Sequence, residues 1–517
     1  MKIERVFLSF VFVVVFCFSS CVFGYSDGAG TFGDPYQIAN KADLLELAGT
    51  VGDYGKFFVL TADIDLEGEF FDKAVIAADT NNVETGFQGT WFEGAIDGQG
   101  FVIRNLTIYG CNSDYVGLIG NLNGSNIGLG LVKNLVLENA DVTGKDNVGG
   151  LVGLTRNWAV WIENCGVIGV IDGEDNVGGL VGYNSGGNAS SAIERCFAEV
   201  SVLGDDHVGG LVGCNWEGPI KNSYAIATVD GEWCVGGLTG RNFSGSITNC
   251  YAGGEVIGLE RVGGLVGENE NMIDRAYSTA DVNGINWVGG LVGNGNSANV
   301  TRSFWDMETS HQILSAGGVG LSTVLMKDIN IYLTAEWDFV GETENGTEDI
   351  WEMSVDSGYP ALWWEPLFND RMSGAGEIMV GDVISGSSVG AGGDDITLMG
   401  YEDWADVWFY FDCNETGKYT VGVEPNGFDS TVAVFDEAGV EIIFNDDFFG
   451  GKSVVILKAS AGRKYYIRIA GYDGQTGLFD LSLQDGAIQV IQGDLNYDGF
   501  VDLVDFAIMA ESWLVDE

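Results

Sequence analysis

Apolar residues occur along most of this chain in short runs separated by Gly, Asn and Asp, and one apolar phrase repeats. Exact copies of Val-Gly-Gly-Leu-Val-Gly begin at Val148, Val177, Val208, Val262 and Val288, and a near copy with Thr in fifth place begins at Val235. These six copies start 29, 31, 27, 27 and 26 residues apart. A fixed period of this size indicates a repeat architecture.

Each repeat contains three short runs rich in β-branched residues, and none of these runs is long enough for a helix. A unit this small cannot bury its apolar side chains alone, so identical units are expected to stack and build one continuous core. The pattern therefore predicts an all-β fold, a right-handed parallel β-helix whose coils lie about 4.8 Å apart.

Stacking would place equivalent residues in columns. One column holds the first Val of each phrase, and a second holds Leu151, Leu180, Leu211, Leu238, Leu265 and Leu291. A small-residue column holds Cys165, Cys196, Ser223, Cys250, Ala276 and Ser303. A corner column holds Asn134, Asn164, Asn222 and Asn249 together with Arg195, Arg275 and Arg302. Asn tolerates the left-handed conformation that a sharp corner needs, and Arg fits it less well. The Gly-Gly pair is expected at a corner or a bulge, where it would use the access of glycine to positive φ.

The repeated phrase resembles the GLUG repeat of bacterial surface and secreted proteins, over roughly residues 110–300. This resemblance implies a β-solenoid but no single biochemical activity. The repeats proper are assigned to residues 111–303. Residues 25–110 are interpreted as an N-terminal cap with the first coils, because a short helix from Lys41 to Ala48, capped by Asn40, would cover the open end of the solenoid.

The periodicity stops at Phe304, and aromatic residues crowd the segment 304–371. We interpret this segment as a hydrophobic cap over the last coil, and the alternative is an exposed sugar-binding platform.

Residues 372–486 contain alternating strands separated by turn residues, a pattern typical of an antiparallel β-sandwich. The run from Gly427 to Val432 and the later Asn-Asp-Asp triplet resemble the bacterial pre-peptidase C-terminal domain, which accompanies secreted enzymes without catalysing a reaction. Asp429, Asp446 and Asp447 are then either calcium ligands or solvated turn carboxylates.

Residues 487–517 carry the sharpest chemical signal. The side chains at loop positions 1, 3, 5, 9 and 12 are Asp494, Asn496, Asp498, Asp502 and Asp505, and Phe500 offers its backbone carbonyl at position 7. An EF-hand-type loop builds this oxygen cage for a hard cation, so the tail is predicted to bind Ca²⁺ and to continue into a short helix. The loop resembles a dockerin repeat, which implies docking to a cohesin-like scaffold. Dockerins usually carry two copies, and here there is one.

Acidic residues dominate the charge, because 75 Asp and Glu stand against 23 Lys and Arg and leave a net charge of −52. This charge disfavours nucleic acid and anionic membrane surfaces as partners. Residues 1–24 are interpreted as a secretion signal cut before Tyr25, and the alternatives are an uncleaved anchor helix and lipoprotein processing at Cys21. No other segment is apolar enough to span a membrane, so we expect a secreted or cell-surface protein.

Other candidate chemistry is sparse. Seven cysteines remain after cleavage and three share the small-residue column, so we expect no disulfide framework. His207 and His311 lie near no other ligand-type residues, and we find no non-repetitive polar cluster within residues 110–300. The solenoid is therefore expected to bind a polysaccharide or an extracellular protein without catalysis. The alternative is a polysaccharide-degrading lyase or glycoside hydrolase docked through its dockerin-like tail.

Overall fold

The computed structural model describes residues 24–124, 130–157, 159–186, 192–342, 345–354, 358–364, 376–380, 383–387, 404–426, 430–436, 441–445, 453–471 and 478–485. The chain divides into two compact units, Met1–Trp337 and Asp338–Glu517. The predicted secretion signal, apart from Gly24, and the predicted calcium-binding tail lie outside the described residues.

The first unit is a β-solenoid in which successive coils add strands to three parallel sheets. Sheet 1 contains Tyr36–Ile38, Phe57–Leu60, Ile64–Asp65, Ala95–Asp97, Val102–Arg104, Thr107–Tyr109, Gly130–Thr143, Val160–Asp172, Ala192–Glu194, Phe197–Leu203, Ile220–Asp230, Ile247–Ile257, Ile273–Asp274, Tyr277–Ser278, Asp281–Asn283, Val300–Thr301, Phe304–Asp306 and Val319–Leu321. Sheet 2 contains Val148–Gly149, Asp175–Gly178, Asp206–Gly209, Trp233–Gly236, Glu260–Gly263 and Asn286–Gly289. Sheet 3 contains Ile119–Asn123, Val152–Arg156, Val181–Ser185, Val212–Glu217, Thr239–Asn242, Val266–Asn269 and Val292–Gly295.

Few helices accompany the strands. The α-helices of the described residues are Lys41–Gly49, Met307–Ser310, Thr323–Met326 and Ile329–Thr334, and the 3₁₀ helices are Val51–Asp53 and Ser297–Asn299. Within the part of the chain that the structure describes, no helix is both long and apolar enough to cross a membrane.

The predicted stacking register is confirmed. In sheet 2, Val177 pairs with Val148 on one side and with Val208 on the other, and the later phrases continue the same pairing. Every member of the Leu column has an exposed fraction of 0 %, and consecutive members are joined by backbone hydrogen bonds such as Leu211 N–H to the Leu238 carbonyl, 2.9 Å. The small-residue column is buried in the same core. These columns make one continuous apolar interior.

The glycines of the phrase have a different role from the predicted one. The Gly-Gly pair lies at the bend between sheets 2 and 3, which makes it a corner, but no glycine in the six phrases has a positive φ. An added Cβ at Gly179 would lie 2.2 Å from the Gly210 carbonyl oxygen of the next coil, and one at Gly182 would lie 2.5 Å from the Val148 nitrogen of the previous coil. Glycine is required because neighbouring coils approach backbone to backbone.

Left-handed conformations occur in two other columns. The predicted corner column is confirmed, with φ between 46° and 53° at all seven positions, including the three Arg. The second column is the residue before each phrase, where φ lies between 52° and 60° at Asn147, Asn176, His207, Cys234, Arg261 and Trp287. The Asn side chains of the corner column bond along the axis, for example from Asn164 to Asn134 at 3.0 Å and from Asn249 to Asn222 at 3.0 Å.

Two of the Arg residues in the corner column bind the end of the first unit. Arg302 forms ion pairs with Asp274 at 2.6 Å and with Glu336 at 2.8 Å. Arg275 pairs with Asp274 at 2.9 Å and donates to the Glu336 carbonyl at 2.8 Å. These contacts stabilise two left-handed Arg residues and fasten the segment after the last coil.

Among the coils that begin with the six phrases, length varies in one place only. On the way from sheet 3 to the next strand of sheet 1, eight residues separate Asn184 from Ile193 in the coil of 31 residues. Three residues separate the equivalent Asn269 and Ile273 in the coil of 26 residues. The rest of each coil is constant because the three sheets fix it.

Both ends of the solenoid are covered. Asn40 caps Lys41–Gly49 by accepting from the Ala42 and Asp43 N–H groups, and the helix buries Leu44 and Leu47 against the first coils. At the other end, the buried Trp337 ring packs against Phe304 and Tyr332 at centroid distances of 6.0 and 4.8 Å. The described rings between Phe304 and Trp337 are therefore buried in a cap and are not exposed as a platform.

The second unit contains a pair of short antiparallel strands, Trp351–Met353 and Pro360–Leu362, and two larger sheets. One sheet contains Gly376–Glu377, Trp404–Cys413, Arg463–Gly471, Ser430–Phe435 and Glu441–Asn445, and the other contains Val383–Ser387, Leu478–Asp485, Gly417–Asn426 and Ser453–Ala459. All pairings are antiparallel except that of Gly376–Glu377 with its neighbour. Side chains from both sheets share one hydrophobic core.

Candidate functional site

The predicted metal ligands lie outside the described residues. This applies to Asp494, Asn496, Asp498, Phe500, Asp502 and Asp505, and also to Asp429, Asp446 and Asp447. Calcium binding by either set stays a prediction. Among the described residues, no group of three or more His, Cys, Asp or Glu side chains is arranged to hold a metal ion.

A buried ladder of amides, not predicted from the sequence, runs along the inside of sheet 3. Asn184 donates to Asn215 at 2.8 Å, Asn215 donates to Asn242 at 2.9 Å, and Asn242 donates to Asn269 at 2.8 Å. Thr155 donates to Asn184 at 2.6 Å and so begins the ladder. The four Asn are at most 4 % exposed. We name these five residues the inner ladder.

The inner ladder has a structural role. Each amide is both donor and acceptor, so stacking at the coil spacing satisfies groups that would otherwise be costly to bury. The sequence contained the signal, because Asn stands two residues after the phrase in four consecutive copies, as in Gly182-Tyr-Asn184. No member of the inner ladder faces solvent, so a binding surface has to lie on the outside of the coils.

A non-repetitive polar cluster does occur on the solenoid, contrary to the expectation from sequence. Glu268 lies at its centre and forms ion pairs with Arg241 at 3.2 Å and with Arg261 at 3.6 Å. Asn294 donates to the same carboxylate at 3.1 Å, and the Cys234 thiol lies 3.7 Å from it. We name Glu268, Arg241, Arg261, Asn294 and Cys234 the Glu268 cluster.

Parallel register assembles the Glu268 cluster. Arg241, Glu268 and Asn294 occupy the same position in three successive strands of sheet 3. Cys234 and Arg261 come from the left-handed column that precedes the phrase. The two columns belong to opposite ends of the phrase, so their contact depends on the corner made by the Gly-Gly pair.

Two thiols and one imidazole in and beside the cluster are neutral near pH 7. Burial raises the pKa of the Cys234 thiol to about 11 and that of the neighbouring Cys214 thiol to about 12. Burial, with help from the Arg241 charge, lowers the pKa of the His207 imidazole below its usual value. The thiols are therefore protonated, and neither is an activated nucleophile. All seven cysteines among the described residues are free.

An aromatic row continues this surface along the axis. The Trp216 and Phe243 rings stack with centroids 4.1 Å apart, and Tyr183 lies 6.4 Å from Trp216. The Arg241 guanidinium lies 5.1 Å from the Phe243 centroid. These rings with the Glu268 cluster form one outer surface, which we name the aromatic–Arg face. It offers apolar ring surface beside hydrogen-bonding groups, a combination that suits an extended polar ligand.

The edge of the solenoid beside sheet 2 is acidic. Asp175 and Asp206 are directly paired in neighbouring strands. Burial, followed by the charges of Asp146 and Asp206, raises the pKa of Asp175 to about 6. Lys145 offsets part of this charge through an ion pair with Asp146 at 2.8 Å. Like charges therefore accumulate along this edge at the cost of some stability.

Comparison with known proteins supports the repeat assignment. The family model of the GLUG motif matches residues 173–203 and 231–257. Halomucin of Haloquadratum walsbyi is 34 % identical to this chain over 139 residues, which cover 25 % of this chain and 1 % of that protein. The chain thus spans about one hundredth of the length of this relative.

Two solved structures share weaker likenesses. The pre-peptidase C-terminal domain of a collagenase from Bacillus anthracis matches 21 % of this chain and 94 % of its own length, with 18 % identity and a TM-score of 0.17. The enzymatically active domain of tailspike protein 4 from bacteriophage CBA120 matches 85 % of this chain and 66 % of its own length, with 11 % identity and a TM-score of 0.16. TM-scores this low carry no argument about function.

Proposed function

We propose that this is an extracellular or cell-surface protein whose solenoid binds a polysaccharide. The observation that carries the proposal is the aromatic–Arg face, where stacked rings and charged groups from successive coils form one continuous surface. A repetitive polymer can occupy such a surface over several coils. The GLUG motif match and the local similarity to Halomucin support an extracellular setting.

The test combines a glycan array with reducing-sugar assays on the same polysaccharide panel. Trp216→Ala should weaken binding by at least tenfold, because the Trp216 ring lies between Tyr183 and Phe243 and its removal interrupts the aromatic row. Trp233→Ala is the matched control, since this ring is 42 % exposed on sheet 2, outside the aromatic–Arg face. Equal affinity of the two variants, or binding of an extracellular protein with no glycan bound, would contradict the assignment.

The alternative function is a polysaccharide lyase or glycoside hydrolase. The convergence of Glu268 with Arg241 and Arg261 favours it, because an enzyme needs acidic and basic side chains in one place. In that case the protein should release new reducing ends or unsaturated sugars, and Glu268→Gln should abolish the release while the protein stays folded. Binding without any release supports the non-catalytic function.

The tail at 487–517 is proposed to bind one calcium ion and to dock the chain to a cohesin-like scaffold. Four carboxylates repel one another within the loop unless a cation is present, so binding energy becomes folding energy. A tenfold excess of calcium over its dissociation constant would contribute about 1.4 kcal/mol. The preceding sheets are proposed to pack as a sandwich of the pre-peptidase C-terminal kind.

A further inference from the structure

Two buried side-chain oxygen atoms of the loop of residues 78–91 have no hydrogen-bond partner. Asp79 is 5 % exposed, and its Oδ1 accepts from the backbone N–H groups of Asn81 at 3.2 Å and Gln88 at 3.0 Å. Its Oδ2 is buried and has no partner. The Gln88 side chain donates through Nε2 to the Thr85 carbonyl at 3.1 Å, and its buried Oε1 has no partner either.

The coil beneath the loop adds further unpaired groups. The loop leaves the solenoid after Ile76, which bridges to Ile119, and returns at Phe92, which bridges to Leu122. Asn121 lies between these two bridges, is 0 % exposed, and has no partner on either amide atom. The coil therefore presents a buried amide where the loop crosses it.

Asp114 completes the group. Its Oδ1 is buried without a hydrogen-bond partner. The loop reaches the residue beside it, because Asn82 donates to the Ser113 hydroxyl at 3.2 Å. Burial, then the Asp146 charge, and to a smaller degree the Asp79 charge, raise the pKa of Asp114.

Lys145 supplies the positive charge that acts on Asp114, but it already forms an ion pair with Asp146 at 2.8 Å. The unpaired atoms are Asp79 Oδ2, Gln88 Oε1, Asp114 Oδ1 and both amide atoms of Asn121. Leaving several such acceptors buried and unpaired is costly, and one hard cation satisfies several oxygens at once.

We propose that the loop of residues 78–91, with Asp114 and Asn121, binds a calcium ion against the first coils of the solenoid. Asp79 and Asp114 supply the charge, and Gln88 and Asn121 supply neutral oxygens. Calcium takes about six to eight oxygen ligands, so water completes the set. The ion would hold a 14-residue excursion onto the solenoid surface. This site is separate from the predicted tail loop and does not depend on it.

The experiment uses the full chain carrying Asp494→Ala, so that the tail loop contributes no binding. Extracellular calcium modules have dissociation constants of about 10⁻⁴ to 10⁻³ M, so calorimetric titration with calcium chloride should extend to about 10 mM. Hydrogen exchange of the backbone amides at 78–91 is measured with calcium and with EDTA. We expect one bound calcium ion per chain and at least tenfold slower exchange in this loop when calcium is present.

Three variants locate the site. Asp79→Asn should abolish binding, and Asp114→Asn and Gln88→Leu should each weaken it at least tenfold. The last two residues are less buried, so these variants keep the test valid where Asp79→Asn fails to fold. Glu84→Gln is the matched control, because it removes a charge from an exposed position of the same loop and should bind as the parent does.

Two results would overturn the proposal. One is a folded parent protein that binds no calcium and shows no change in hydrogen exchange at 78–91. This result would mean that a proton on Asp114, and not a cation, offsets the cost of the buried oxygens. The other is undiminished binding in both Asp114→Asn and Gln88→Leu, which would mean that calcium associates with the acidic surface in general.

Discussion

Replacing the central amide of the inner ladder should destabilise the solenoid strongly. Asn215 is 0 % exposed, donates to Asn242 at 2.9 Å and to the Gly218 carbonyl at 3.2 Å, and accepts from Asn184 at 2.8 Å. Asn215→Ala leaves two acceptors, the Asn242 side chain and the Gly218 carbonyl, without this donor. Each buried unsatisfied group costs about 1–3 kcal/mol, so we expect a loss of about 3 kcal/mol.

The Asn184 side chain limits this loss, because it keeps its second hydrogen bond to the Glu217 carbonyl at 3.0 Å. Asn242→Ala should lower the free energy of unfolding less in the Asn215→Ala protein than in the parent, because the hydrogen bond between these two amides is already absent. The double variant should therefore be less destabilised than the sum of the single variants by about 1 kcal/mol.

Urea unfolding of the full chain, followed by tryptophan fluorescence and far-ultraviolet circular dichroism, measures this effect. Repeat arrays can unfold in several steps, so both the midpoint and the slope of each transition are compared. Asn286→Ala is the matched control, because Asn286 is exposed on sheet 2, and it should change stability by less than about 0.5 kcal/mol. If Asn215→Ala unfolds at the same urea concentration as this control, the amides of the inner ladder are not the stabilising contacts described above.

Three further predictions concern other parts of the molecule. Leu211→Asp should abolish soluble folding, because it buries an unpaired carboxylate at a cost of several kcal/mol, while Leu203→Asp, at a position 50 % exposed, should melt near the parent; equal melting would refute the stacking register. The pKa of Asp175, raised to about 6, lies above the unfolded value of about 3.9, so its charge destabilises the fold above pH 6 and this penalty disappears as the pH falls towards 4. Asp175→Asn should thus raise the free energy of unfolding at pH 8, measured by urea, and leave it unchanged at pH 4. The gain should be about 1 kcal/mol or less because solvent screens the site. An equal gain at both pH values would refute the charge argument. In calorimetric titrations, Asp494→Ala and Asp505→Ala should each remove one bound calcium ion, and Asp498→Asn should only weaken it because an amide oxygen still coordinates; unchanged calcium uptake in all three would exclude the tail loop.

The sequence predicted the core of the solenoid because recurrence and burial have the same cause. A residue such as Leu211 repeats at each coil because the same position faces the interior each time. The role of the glycines was predicted wrongly, because a repeated Gly shows only that a side chain is excluded there. Whether positive φ or a close backbone approach excludes it depends on the neighbouring coil, as the contact between Gly179 and Gly210 shows.

The candidate site was harder to predict for a different reason. Glu268 and Arg241 share one position of the repeat but differ in type, and Cys234 stands at another position, so no repeated residue type joins them. Only the register of the sheets and the corner between them bring these side chains together. The inner ladder did repeat, but Asn among short strands was attributed to turns, because its inward direction cannot be read from spacing alone.

The confinement of length variation to one connection has a consequence for protein engineering. The strands of sheet 1 in the later coils pair without a register shift, since a shift of one position would turn core side chains outward. The three-residue connection between Asn269 and Ile273 already has an eight-residue counterpart between Asn184 and Ile193 in an earlier coil. A foreign peptide, such as an epitope or a protease cleavage sequence, can therefore be grafted there in any chosen coil. Placing two grafts in adjacent coils would set them about 4.8 Å apart, which makes the solenoid a ruler for displaying ligands at defined separations.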